Sequence, residues 1–152
     1  MKAGLLIVSF LIAIIGVRAG NLDTLKAAAK SYVAAMESTL SLSETASCTE
    51  IIAVAKEYAK AKIAYYEAAR AAMPTLLQSA RGESSGTADE QELIEIFQGF
   101  GEDQDEEASA VLENGLAACP GSDESEKAQS AIESARQVAE KFIKDFGQME
   151  GV

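Results

Sequence analysis

Apolar residues recur every three or four positions along most of this chain, the spacing that places them on one face of an α-helix. The first such run covers residues 22–40, follows Asn21 as a candidate cap, and ends in the polar stretch 41–45. No segment alternates apolar and polar residues in the way that a half-buried strand requires. The pattern therefore predicts an all-α protein.

A second, longer run is introduced by Ser-Cys-Thr-Glu at 47–50, which matches a capping box. In such a box the Ser47 hydroxyl accepts a hydrogen bond from the backbone N–H of Glu50, and the glutamate reaches back. The run contains Pro74, which lacks a backbone donor and predicts a kink or break just before it.

Shorter runs fill the second half of the chain and are separated by glycine, proline and acidic residues. We expect a third helix over 87–100, an acidic turn at 102–107, a fourth helix over 108–119, and a last helix capped by Ser122 or Ser125. The expected fold is a compact, irregular bundle of four to five helices with one disulfide.

The N-terminus has a different character. A positive charge precedes the apolar run 5–15, and small residues, Val17 and Ala19, occupy the positions that signal peptidase reads. The run is shorter than the roughly 20 residues that span a bilayer. We predict a signal peptide at 1–19, a single secreted helical domain at 20–152, and no stable membrane insertion after cleavage. A membrane anchor or a buried strand is the alternative interpretation.

Cys48 and Cys119 are the two cysteines of the chain. In an oxidising compartment an even count predicts pairing, with two buried free thiols or a bridge between two chains as the alternatives. Closing a loop of about 72 residues removes roughly 4 kcal/mol of unfolded-state entropy. Many inward positions are alanine and bury little area each, so we expect the disulfide to be needed for stability.

The chain contains no histidine and no tryptophan. The absence of histidine excludes Ser-His-Asp and Cys-His nucleophiles and histidine metal sites. Paired carboxylates serve glycosidases, but the acids here fall on caps, turns and solvent faces. We therefore predict a protein that is not an enzyme, with no catalytic residue, no cofactor and no metal.

The net charge of −11 is distributed unevenly. Segment 82–126 holds 14 acidic residues and no lysine or arginine, whereas the rest of 20–152 is close to neutral. Binding to nucleic acid or to an anionic membrane surface is disfavoured, because both need clustered cations. A surface of one sign steers cationic partners, so we predict a protein partner with a basic surface. A merely solubilising face is the alternative.

Two phenylalanines and a run of acids form the candidate partner-binding residues of this segment. We expect the aromatic rings to act as apolar anchors, or as ordinary core, and the acids to supply charge. These residues are Phe97, Phe100, Glu102, Asp103, Asp105, Glu106 and Glu107.

The same acidic run offers oxygen ligands for weak calcium binding. Counted from Asp103, however, the sixth position is Ala108 where a calcium loop needs glycine, and the twelfth is Asn114 where it needs glutamate. A solvated acidic turn is therefore the favoured interpretation.

Tyr32, Tyr58, Tyr65 and Tyr66 recur at helical spacing. Such residues are usually core with the hydroxyl near the surface, and the alternative is a lined pocket. That alternative supports a second function, a secreted carrier of a lipid or another small apolar ligand, since helical bundles host such pockets. The third candidate function is that of a bulk secreted protein without a specific partner.

The outline of the chain is a signal peptide followed by an acidic helical domain with two cysteines. In this outline it resembles the small secreted effectors in the saliva of blood-feeding insects, including the anophensin-like mosquito salivary family. The resemblance implies a compact helical protein that binds host plasma components, such as complement or contact-pathway factors. It assigns no role to any individual residue.

Overall fold

The computed structural model describes residues 19–72, 92 and 95–150. Within these ranges the chain forms four helices and no strand, which confirms the all-α class and agrees with the four to five helices expected. The predicted signal peptide lies outside the described residues apart from Ala19, as do Pro74 and the predicted start of a helix at 87. The helices are α1 (Ala19–Leu40), α2 (Cys48–Ala71), α3 (Glu102–Ala117) and α4 (Asp123–Glu150).

Helix α2 lies at the centre of the bundle, with α1 and α4 packed along it and α3 contacting all three. Alanines fill much of the contact surface, and small side chains let the helix axes approach closely. The bulk of the core comes from a few larger side chains that are fully buried. These are Tyr58, Tyr65, Phe142, Phe146, Leu25, Met36 and Leu112.

Local capping determines where α2 begins. The Ser47 hydroxyl oxygen accepts a hydrogen bond from the Glu50 backbone N–H at 3.2 Å, as the capping-box pattern predicts. The Ser47 hydroxyl in turn donates to the Glu50 carboxylate at 3.4 Å, so the glutamate reaches back to the side chain of the cap. At the other end α2 stops at Ala71, ahead of Pro74.

Two predicted boundaries are wrong. Helix α1 begins at Ala19, before the candidate cap Asn21. The acidic turn expected at 102–107 is instead the start of α3, where the Gly101 backbone N–H donates to the Gln104 side chain at 2.8 Å. Negative side chains are favoured at the positive end of a helix dipole, so this run starts a helix. A helical backbone also removes the calcium-loop interpretation.

Two further positions explain how the chain turns between helices. Gly99 has a φ of 83°, in the left-handed region that glycine adopts without steric cost, and it lies just before α3. Ahead of α4, the Ser122 hydroxyl accepts from the Ser125 backbone N–H at 3.2 Å. Ser122 is therefore the cap, and Ser125 is buried within the helix.

The predicted Cys48–Cys119 disulfide is confirmed, with the two Cα atoms 5.8 Å apart. It joins the first residue of α2 to the chain just beyond the end of α3, and it leaves no free thiol. Close packing supports the same junction, because a Cβ at Gly115 would lie 3.1 Å from the Ile51 side chain.

Candidate functional site

Helix α3 exposes three acidic residues on one side. Asp103, Glu106 and Glu107 are all exposed, and their spacing of three and four residues places them on one face of the helix. We call these three residues the acidic face. Val111, the one large apolar side chain that is exposed in the described part of the chain, lies one turn further along.

The other two acids of the predicted set lie nearer to the core. Glu102 and Asp105 are half-buried, because their positions on α3 lie closer to the buried side formed by Ala108 and Leu112. The helix therefore divides a run of acids that the sequence presents as one group.

Asp105 is held by three side chains from α1 and α2. One carboxylate oxygen accepts hydrogen bonds from the hydroxyls of Tyr32 and Tyr58, each at 2.5 Å. The other oxygen accepts from the Lys62 ammonium at 2.9 Å. Lys62 is only 8% exposed and also lies 5.5 Å from the Tyr58 ring centroid. This Asp105 cluster, made of these four residues, is a structural junction.

Phe97 and Phe100 differ in burial. Phe97 is 6% exposed and packs edge-on against Tyr65 at 5.3 Å and Tyr32 at 6.5 Å between ring centroids. It belongs to the core and offers little surface to a partner. Phe100 is half-buried at the edge of the same cluster.

The four tyrosines form the interior of this end of the bundle. Tyr32 stacks on Tyr65 at 5.3 Å, and Tyr65 meets Tyr66 edge-on at 5.0 Å. Burial is the main cause that raises the pKa of all four hydroxyls, and the charge of Asp105 is the second cause for Tyr58 and Tyr66. The hydroxyls therefore stay protonated at neutral pH. Those of Tyr32 and Tyr58 donate to Asp105, whereas that of Tyr65 is buried and has no hydrogen-bond partner among the described residues.

Several other acids of segment 82–126 are paired with cations from the rest of the chain. Glu113 pairs with Arg136 of α4, and Glu124 pairs with Lys56 of α2. Glu106 and Glu107, by contrast, form no ion pair or hydrogen bond with any side chain that the structure describes. Unpaired negative charge on the acidic face is thus found at Glu106 and Glu107.

Sequence reasoning missed the Asp105 cluster, although one signal pointed to it. Lys62 lies one turn from both Tyr58 and Tyr66 on the apolar side of α2. A lysine among inward positions requires an anionic partner, because burial of an unpaired charge is costly. The identity of that partner depends on the packing of α3 and is not a local property.

Among the described residues, no three histidine, cysteine, aspartate or glutamate side chains come together as metal ligands, and no helix is long and apolar enough to cross a bilayer. Comparison of the chain with protein-family models, with curated proteins and with solved structures finds no match.

Proposed function

We propose that this is a secreted, non-enzymatic binding protein that captures a protein partner through a basic surface of that partner. The observation that supports the proposal is the acidic face, where Glu106 and Glu107 lack a cation among the described residues. The resemblance to salivary effectors suggests host plasma proteins, such as complement or contact-pathway factors, as the partner class.

The physical role of the acidic face is to steer a cationic partner. Exposed charges of one sign raise association rates and lose this effect with salt, since screening acts over about 8 Å at physiological ionic strength. Val111, which is 37% exposed, adds an apolar contact beside Glu107. Steering and a small apolar contact together describe an encounter surface.

The test is capture from plasma on the immobilised protein, with elution by a salt gradient, followed by measurement of the association rate of the captured species. Glu106→Lys with Glu107→Lys should lower that rate by about tenfold or more at low salt. The matched control is Glu37→Lys with Glu67→Lys, two exposed acids on α1 and α2, which changes net charge equally.

The steering claim fails if the association rate is independent of salt, or if both charge reversals lower it equally. A dominant cationic protein released at moderate salt supports the proposal and names the target class. The absence of any captured protein shifts weight to the carrier function.

The carrier of a small apolar ligand is the alternative. The tyrosines leave a cavity of only about 30 Å³, whereas ligand pockets usually occupy roughly 300–1,000 Å³. A groove of about 420 Å³ between α1 and α2 is large enough, and it is lined by small residues such as Ala34, Ala35 and Val54. Native mass spectrometry discriminates the two functions, because a carrier purifies with bound mass and a steering protein does not.

A further inference from the structure

A small cavity lies beside the start of α3 and is lined largely by aromatic rings. The rings belong to Tyr32, Tyr66, Phe97 and Phe100, and the cavity measures about 30 Å³. Tyr66 and Phe97 are inclined to Tyr32 by 62° and 78°, with centroids 6.3 and 6.5 Å away. Rings inclined in this way pack edge to face, and together they give the cavity an aromatic lining.

Two carboxylates complete the lining. Glu102 and Asp105 border the cavity, and both residues are half-buried. Lys62 approaches Asp105 from another direction, since it lines the neighbouring groove between α3 and α4 but not this cavity. Three donors occupy Asp105, which has about four acceptor sites in all, and one site is left.

From these contacts we infer that the cavity binds a primary ammonium group. Faces of aromatic rings attract cations within about 6 Å, and a nearby carboxylate adds a charge-assisted hydrogen bond. The volume admits a compact head group, because a cavity of about 10–15 Å³ already holds one water molecule and an –NH3+ group is of similar size. A trimethylammonium group is larger and has no N–H to donate to a carboxylate.

A primary ammonium group can come from two sources, a free small amine or the lysine side chain of a protein partner. Both present a compact ammonium group on a flexible apolar stem. The site does not depend on the proposed function, because a small amine binds without any protein partner. Its failure and the failure of partner capture are therefore separate results.

The experiment is an NMR titration of the purified protein with butylammonium, followed through the ring signals of Tyr32 and Phe97. Butan-1-ol is the neutral probe of similar shape, and tetramethylammonium is the larger cation without an N–H donor. Butylammonium should saturate and bind about tenfold or more tightly than butan-1-ol, because its donors reach a charged acceptor. Tetramethylammonium should bind more weakly than butylammonium.

Two variants locate the binding. Glu102→Gln keeps the shape and removes the charge, so butylammonium should bind about tenfold more weakly. Glu107→Gln, on the acidic face of the same helix, should change its affinity by less than about twofold. If Glu102→Gln does not fold by circular dichroism, Phe100→Leu at the cavity edge replaces it with the same expected direction.

Equal shifts for butylammonium and butan-1-ol, or equal losses in Glu102→Gln and Glu107→Gln, would overturn the inference. The source of the ammonium group is decided with the captured partner. If Glu102→Gln also loses the partner, a lysine of that partner enters the cavity. If it loses only butylammonium, the natural ligand is a free amine.

Discussion

The two ends of α3 are attached to the bundle by different chemistry. At its start, the carboxylate of Asp105 accepts hydrogen bonds from three side chains of α1 and α2. Beyond its end, Cys119 forms a disulfide with Cys48, the first residue of α2, and Gly115 packs against Ile51. The first attachment is polar and reversible, and the second is covalent.

The apolar face of α3 explains why both attachments are needed. Only Ala108, Leu112 and Leu116 of this helix are buried. Burial of so small an area stabilises a helix weakly, so specific links at both ends hold α3 in position. The acidic residues of α3 therefore differ in role. Asp105 anchors the helix to the bundle, whereas the residues of the acidic face are exposed to solvent.

The largest expected effect is loss of the polar attachment at the start of α3 in alkali. The pKa of Tyr32, Tyr58, Tyr65 and Tyr66 is raised in the folded protein, so their stabilising contribution is complete below the unfolded value of 10.0 and falls as pH rises above it. Above pH 10 each buried tyrosine lowers the free energy of unfolding by about 1.4 kcal/mol per pH unit. The four together therefore exceed the stability of a typical domain within about two to three pH units.

Absorbance at the phenolate band and far-ultraviolet circular dichroism measure this directly. Tyrosine ionisation and loss of helix should coincide in a single transition above pH 10, whereas the urea-unfolded chain titrates near pH 10. Free ionisation of the tyrosines near pH 10 in a chain that keeps its helices would contradict the burial argument.

The next largest effect is expected when the disulfide beyond the end of α3 is removed. Cys48→Ser with Cys119→Ser should lower the free energy of unfolding by about 4 kcal/mol, because the unfolded chain regains the entropy of a long loop. Urea denaturation gives the value, and hydrogen exchange should quicken most in the last turns of α3. A loss below about 1 kcal/mol would show that the helix does not need this link.

The smallest of the three effects is expected when the polar attachment at Asp105 is removed by mutation. Asp105→Ala leaves the buried Lys62 ammonium and two tyrosine hydroxyls without their acceptor and should cost about 3 kcal/mol at neutral pH. Glu107→Ala, an exposed control on the same helix, should stay within about 0.5 kcal/mol. Urea denaturation of both variants tests the difference.

An apolar replacement sharpens this result. Asp105→Leu combined with Lys62→Met removes both charges, so the double variant should recover part of the stability that Asp105→Ala loses. If Asp105→Ala and Glu107→Ala lower the free energy of unfolding by the same amount, the Asp105 cluster is not a structural attachment. The contrast between the two ends of α3 then disappears.

Local patterns predicted a large share of this fold. The capping box at Ser47 correctly located the start of α2, because cap and helix lie within four residues of each other. The boundary at Gly101 was missed, since a run of acids is typical both of a solvated turn and of a first helical turn.

The sequence by itself determined the helical class, the cap at Ser47 and, given an oxidising compartment, the Cys48–Cys119 pairing, because these depend on short-range periodicity, on capping chemistry and on a count of two. Only the tertiary structure decided which acids face inward. Asp105 meets Tyr32 and Lys62, which lie 73 and 43 positions earlier in the chain. Contacts over such separations depend on how whole helices pack, and helical periodicity carries no information about them.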